Sequence, residues 1–171
     1  MPQPITHELL TSILDYDPAT GILKWKKSHL RSKRWNTTWA GREIGCPHAN
    51  GYLTMGLMGK NFHVHRVVWF LVTGAWPKMH VDHVDGDKHN NRIANLREAS
   101  RSENNWNKGV SKNSTTGYKG VCFNSRAGRW QAQIKKHGVR KYLGLFDTPE
   151  AASDAYRLAA REMHGEFARH C

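Results

Sequence analysis

Cysteine is scarce in this chain. Three in 171 residues, Cys46, Cys122 and Cys171, stand too far apart for a disulfide framework, and none belongs to a Cys-x-x-Cys pair that would hold zinc or run redox chemistry. They fit a reducing cytosol, so a cytoplasmic location is expected. Long apolar runs are missing as well. Nothing approaches the roughly 18 residues a membrane span needs, and His7, Glu8, Asp15 and Asp17 stand where a secretory leader would have a basic start and an apolar stretch. No membrane role is expected. Acid is what the chain lacks most: 14 Asp and Glu face 26 Lys and Arg, a formal charge of +12 at pH 7. Between Asn104 and Phe146 there is no carboxylate at all, against nine Lys and Arg. Such an excess favours a polyanionic partner, nucleic acid foremost. What remains is ordinary for a folded protein, with 39% hydrophobic residues and a mean hydropathy of −0.69.

This length suits one domain or two small ones. The glycine-containing polar stretch from Lys108 to Gly117 reads as a linker, which predicts two domains, residues 1–110 and 111–171. In the first, Thr6 caps a helix whose apolar face is Leu9, Leu10, Ile13 and Leu14, and Asp15 to Gly21 form a turn. Strands are expected over Ile22–Trp25, Gly51–Met58 and Asn61–His65, with a basic loop from Lys24 to Arg42 between them. A buried helix through Val67, Val68, Phe70 and Leu71 should close at Gly74.

Chemistry concentrates between Val81 and Asn105. Asp85-Gly86-Asp87 and Asn90-Asn91 are turn formers, so a short strand ending at Asp82-His83 should enter a polar loop and return as Leu96 to Ala99. Ser100-x-x-Glu103 is a capping box that starts a helix and places Asn104 in its first turns. Strand, loop, strand and helix would bring together the Asp82 carboxylate and the Asn104 amide oxygen, both hard ligands suited to Mg²⁺ or Mn²⁺. A calcium loop is disfavoured because no bidentate Glu follows at the required spacing. A zinc cluster of His63, His65, His80 and His83 is disfavoured because zinc sites without Cys need a third clear ligand. No zinc is expected. The other histidines, His7, His29, His48, His89, His137, His164 and His170, show no partner pattern and are expected to face solvent.

Asp82-His83, Asn95-Leu96-Arg97 and Asn104, at these spacings, resemble the HNH endonucleases, whose catalytic unit is the ββα-metal motif. Most similar are the free-standing phage homing enzymes, in which the last His of the signature is Asn. His65-Arg66-Val67-Val68-Trp69 and Tyr16-Asp17-Pro18-x-Thr20-Gly21-x-x-x-Trp25 extend the likeness over residues 5–108. The resemblance implies that Asp82 and Asn104 hold one divalent ion, that His83 is the general base, and that Asn95 pins the loop and orients that His. Hydrolysing a phosphodiester calls for these groups. A neutral imidazole takes the proton of the attacking water near pH 7, and a metal stabilises charge on the phosphorus oxygens and the departing 3′ oxygen. Arg97 would clamp a neighbouring phosphate.

Beyond Gly117 the pattern changes. Trp130, Ala132 and Ile134 alternate with Gln131, Gln133 and Lys135, and Leu143 and Leu145 alternate with Tyr142 and Gly144, as half-buried strands do. With Tyr118 to Phe123 they make a three-stranded antiparallel sheet whose polar face carries Arg129, Gln131, Gln133, Lys135, Arg140 and Tyr142. Thr148-Pro149 starts a helix that rests alanines against the other face until Gly165. Tyr118-Lys119-Gly120-Val121, Trp130-x-Ala132-x-Ile134 and Tyr142-Leu143-Gly144-x-Phe146 resemble the Apetala-two / ethylene-response-factor DNA-binding domain, whose sheet lies in the major groove. Cys122 and Asn124 stand where that family commonly has Arg, so its preferred sequence does not carry over. Lys119, Arg126, Lys135, Arg140 and Tyr142 remain able to contact phosphates or bases.

The expected whole is an α+β protein: an N-terminal HNH ββα-metal nuclease domain, and a small C-terminal three-stranded sheet packed on one helix. It would be a sequence-directed, metal-dependent endonuclease of double-stranded DNA, in a phage setting acting in the host cytoplasm. One catalytic motif cuts one strand per visit, so nicking by a monomer is the default. The alternatives are a DNA-binding regulator with an inactive nuclease unit, and an RNA-binding or RNA-cutting module.

Overall fold

The computed structural model describes residues 5–111 and 113–169. Lys112, one of the nine cations of the acid-free stretch, lies outside them, as do His170 and Cys171. The chain divides into two compact units, Met1–Glu98 and Ala99–Cys171. That division precedes the linker-like stretch by about ten residues, for a reason given by the side chains of the helix just after it.

In the first unit, α1 (His7–Ile13) begins where Thr6 accepts the backbone N–H of Leu9 on its hydroxyl, at 3.2 Å. Leu14 leaves the helix and opens β1 (Leu14–Asp17), which pairs antiparallel with β2 (Ile22–Trp25). The expected turn over Asp15–Gly21 is therefore only Pro18–Gly21. Tyr16 favours the strand, and the turn chemistry of Asp17 acts forward, its carboxylate accepting from Ala19 N and the Thr20 hydroxyl. The basic loop likewise contains a helix, α2 (Lys33–Trp39), capped by Ser32. Strands β3 (Cys46–Pro47), β4 (Leu53–Leu57) and β5 (Lys60–His63) form an antiparallel sheet. The strand expected to reach His65 stops at His63, because α3 (Val64–Thr73) starts there to bury Val64, Val67, Val68 and Phe70. Gly74, at φ +75°, ends it in the left-handed conformation. Leu10, Ile13, Leu23, Met55, Leu57 and the buried face of α3 share one core with Val81 and Leu96. Those last two belong to β6 (His80–His83) and β7 (Leu96–Ala99), the pair that carries the polar loop.

The second unit opens with α4 (Arg101–Trp106), set by the full Ser100–Glu103 capping box. Its C-terminal end is tied to the rest of the unit. The Trp106 ring stacks on His164 at 4.4 Å between centroids, and Lys119 Nζ donates to the carbonyls of Trp106 and Lys108 at 2.5 and 2.7 Å. The sheet runs β10-β9-β8, from β8 (Val121–Asn124), β9 (Arg129–Lys136) and β10 (Val139–Phe146). Against it lies α5 (Pro149–His164), capped by Thr148 and closed at Gly165, with Ala152, Tyr156, Ala159 and Ala160 buried. Gly120 lets helix and sheet meet: at φ +71°, an added Cβ would lie 2.5 Å from the carbonyl oxygen of Gln133 and against the Tyr156 ring. The first strand is shorter than expected, beginning at Val121, because Tyr118 to Gly120 are spent on this turn.

Candidate active site

The loop between β6 and β7 is bonded almost entirely to itself. Val84 N donates to Asn95 O at 2.9 Å, closing its mouth. Asn95 accepts Asp85 N on Oδ1 at 3.0 Å, while its Nδ2 donates to Asp85 Oδ1 at 2.9 Å and Asn90 O at 2.8 Å. Asn90 Nδ2 donates to Asp85 Oδ2 at 2.6 Å. Burial works against the Asp85 carboxylate, yet the bonds from Asn90 and Asn95 outweigh it and hold its pKa below the usual carboxylate value. The β1–β2 hairpin braces this loop from outside. The Tyr16 hydroxyl donates to Asn91 O at 3.0 Å and accepts Ile93 N at 2.8 Å. Gly21 (φ +78°) sits so close that a Cβ there would lie 2.5 Å from Arg92 N.

What the loop holds is His83. Asn91, 2% exposed, places Oδ1 at 3.1 Å from His83 Nε2 while its own Nδ2 donates to His89 O at 3.2 Å. Since the amide nitrogen is committed to a carbonyl, the oxygen must face the ring, so Nε2 carries the proton and the basic lone pair is on Nδ1. The Asn95 amide reaches Asp85 and Asn90; the hydrogen bond to the His83 imidazole comes from Asn91. By sequence Asn91 is only a turn former. Its one signal is the doubling Asn90-Asn91, whose two side chains do different jobs. Burial pushes the His83 pKa down, partly opposed by the Asn91 bond and the nearby Asp85, Asp82 and Asp87 carboxylates. Burial thus favours the neutral ring.

Asp82, the preceding residue, is 6% exposed and meets Arg97 on the neighbouring strand, whose Nε and Nη2 donate to Oδ2 at 3.1 and 3.0 Å. Arg97 is thus on the carboxylate rather than projecting as a phosphate clamp. Asn104 lies in α4, the helix that follows β7 in sequence. Among the described residues, no three of His, Cys, Asp and Glu converge as a metal-binding group. The Asp82 carboxylate and the Asn104 amide oxygen are each hard donors of the kind Mg²⁺ or Mn²⁺ takes.

Behind His83 stand aromatic rings of the same unit. His65 meets it edge-on at 5.1 Å between centroids, Tyr52 lies at 5.9 Å, and His63 stacks on His65 at 5.3 Å. Burial, followed by the charges of His83, His63 and Arg66, pushes His65 down to about 3, so it stays neutral and packs. Histidines expected at the surface include His164, which is buried, stacked on Trp106, and donates Nε2–H to Lys135 O at 3.1 Å. His7 is half-buried, its ring bonded to Leu71 O and edge-on to Phe70.

In the second unit the strand register tests the polar face directly, because residues paired across antiparallel strands share a face. Lys135 pairs with Arg140, Gln133 with Tyr142, Gln131 with Cys122, and Arg129 with Asn124. Gln131, Gln133, Lys135, Arg140, Tyr142 and Arg129 therefore stand together. A bulge between Tyr142 and Gly144 breaks the expected alternation: Leu143 packs inward, while Leu145 falls opposite Gln131 on the polar face. Two of the expected DNA-binding residues are otherwise engaged. Lys119 serves α4, and Arg129 meets Asp147 at 2.9 Å. Arg126 is exposed in the β8–β9 turn.

Known proteins are similar to this chain. Residues 62–106, which hold Asp82, His83, Asn95 and Asn104, match the HNH endonuclease family. Protein 3.8 of Escherichia phage T7 is 35% identical over 106 residues, covering 61% of this chain and 87% of that protein. An uncharacterized HNH endonuclease, L560 of Acanthamoeba polyphaga mimivirus, is 34% identical over 121 residues, covering 70% of this chain and 62% of its own length. A rice protein (Oryza sativa subsp. indica), APETALA2-like protein 2, is 48% identical over 48 residues, 28% of this chain and 11% of the relative. Among solved structures, one described as DNA binding and cleavage by the HNH homing endonuclease I-HmuI covers 83% of this chain and 76% of its own at 21% identity and a TM-score of 0.38. Matching the family model over residues 62–106 and spanning 87% of the T7 relative at 35% identity, the chain belongs to the HNH endonuclease family.

Proposed function

We propose that the protein hydrolyses phosphodiester bonds of double-stranded DNA with one divalent ion, nicking as a monomer in the manner of a phage homing endonuclease. The nuclease part is residues 1–110, and residues 111–171 place the cut. The observation that carries this reading is the hold on His83: a buried, neutral imidazole whose Nε2–H is committed to Asn91, next in the chain to a buried carboxylate. His83 accepts the water's proton on Nδ1, and the Asn91 bond stabilises the imidazolium that forms. Asp82 and Asn104 would hold Mg²⁺ or Mn²⁺, which when bound supplies charge stabilisation at a non-bridging oxygen and the leaving 3′ oxygen. Arg97 orients the Asp82 carboxylate, and is long enough to turn toward a phosphate once that carboxylate has another partner. The register-matched cationic face of the C-terminal sheet, with the partial APETALA2-like identity, supports docking of that sheet in a major groove.

Purified protein with plasmid DNA and Mg²⁺ should give nicked circles. His83→Ala should leave duplex affinity nearly intact and lower cleavage by on the order of 10²-fold or more. One observation favours a second reading. Arg97 already neutralises Asp82, so tight binding without cleavage by any divalent ion would identify a DNA-binding regulator instead.

A further inference from the structure

The nuclease unit carries a second cationic surface that the site above does not use. From Pro18 to Arg42 there is no carboxylate, while seven Lys and Arg lie between Lys24 and Arg42. The segment is built rather than loose. Asn36 accepts Ser28 N at 3.0 Å and donates to Ser28 O and Arg31 O at 2.8 and 3.2 Å, Ser32 caps α2, and Trp35 meets Trp25 edge-on at 5.3 Å. On this frame, Lys27, Arg31, Lys33, Asn36 and Thr37 line an open cleft of about 580 Å³. Lys27, Lys33 and Arg34 are exposed, and none of the four cations Lys27, Arg31, Lys33 and Arg34 forms an ion pair among the described residues. The Arg31 guanidinium lies over the Trp35 ring at 4.8 Å to the centroid, which fixes its direction.

This cleft is lined by three cations, Lys27, Arg31 and Lys33, side chains that proteins direct at phosphate oxygens. We infer that the Lys27–Thr37 surface grips the sugar-phosphate backbone of duplex DNA, independently of sequence, as a contact of the nuclease unit separate from the C-terminal sheet. The inference rests on the proposed DNA endonuclease reading. Because the backbone that carries the cations is already folded, the ordering cost of binding falls on their side chains alone.

The test uses the full chain carrying Lys27→Gln, Lys33→Gln and Arg34→Gln together, which leaves Arg31 and the bonds of Asn36 and Ser32 in place. Every phosphate that the protein no longer neutralises should reduce the slope of log affinity against log salt by about 0.9. The triple variant should therefore bind duplex several-fold more weakly at physiological salt, with a slope shallower by roughly 2 to 3. Its kcat at saturating DNA and its choice of cleavage site should be unchanged. An unchanged slope and KM, with cutting intact, would overturn the surface while leaving the endonuclease reading standing. A parent protein with no affinity for duplex DNA would overturn both. Weakened binding to RNA or to anionic phosphatidylglycerol vesicles, with duplex binding unaffected, would overturn the inference in favour of that partner.

Discussion

The Asp82–Arg97 pair is the most consequential contact in the nuclease unit, because both groups are largely withdrawn from water, 6% and 14% exposed. Removing one partner of such a pair takes the guanidinium away from a buried carboxylate. Arg97→Gln should destabilise the metal-free protein by about 3 kcal/mol, read as a lower thermal midpoint. Mn²⁺ should recover more of the loss in the variant than it adds to the parent, since an ion that binds only the folded state stabilises it; equal shifts would show that Asp82 holds no metal. Asn91 acts through His83. Its replacement by Ala removes one hydrogen bond worth about 1 to 1.5 kcal/mol, so kcat should fall about tenfold with KM unchanged. Imidazole ¹⁵N shifts should lose their preference for the Nε2–H tautomer, a change that a merely loosened fold would not produce.

Elements show where pattern reading works. The β6-loop-β7 segment, the capping box of α4 and the cap and stop of α5 follow from local rules, because turn formers, Ser-x-x-Glu and Thr-Pro act within a few residues. Strand β1, helix α2 and the end of β5 are not legible that way, because long-range partners decide them: Tyr16 with Asn91 and Ile93, Asn36 with Ser28, and the α3 face with the core. Helix α4 is the sharpest case. Its sequence continues the β6-β7 motif, yet Trp106, His164 and Lys119 fasten it to the C-terminal unit. Gly120 tests the packing of that unit. Gly120→Ala should cost about 2 kcal/mol or more, from left-handed backbone strain and from the collision with Gln133 O and Tyr156, measured by urea unfolding.

Across the whole molecule, histidine burial sets the response to acid. His65 titrates at about 3 in the folded protein and near 6.5 when unfolded. Between those values the unfolded chain binds a proton that the native chain does not. Stability therefore falls as pH drops from about 6.5, by up to about 1.4 kcal/mol per pH unit for this group, and the slope ends once both states are protonated. His63, His83 and His164 are shifted down as well and add to the same limb. Urea midpoints at pH 7, 6 and 5 should decline, and His65→Leu should flatten that decline; an unchanged slope in the variant would refute the assignment.

Sequence by itself determined the chemistry on offer: Asp82, His83, Asn95 and Asn104 at HNH spacing, and a sheet face of Gln, Lys, Arg and Tyr set by an alternation that holds up to the bulge after Tyr142. Spacing along the chain and a two-residue period are one-dimensional properties, legible without coordinates. Only the tertiary structure decided that Asn91 rather than Asn95 bonds the His83 imidazole, that Arg97 rests on Asp82, that Lys119 serves a helix end, and that α4 packs with the second unit. Each of these depends on which of several competent donors lies nearest once distant segments meet, and a hydrogen bond is won by a few tenths of an ångström that no sequence pattern encodes.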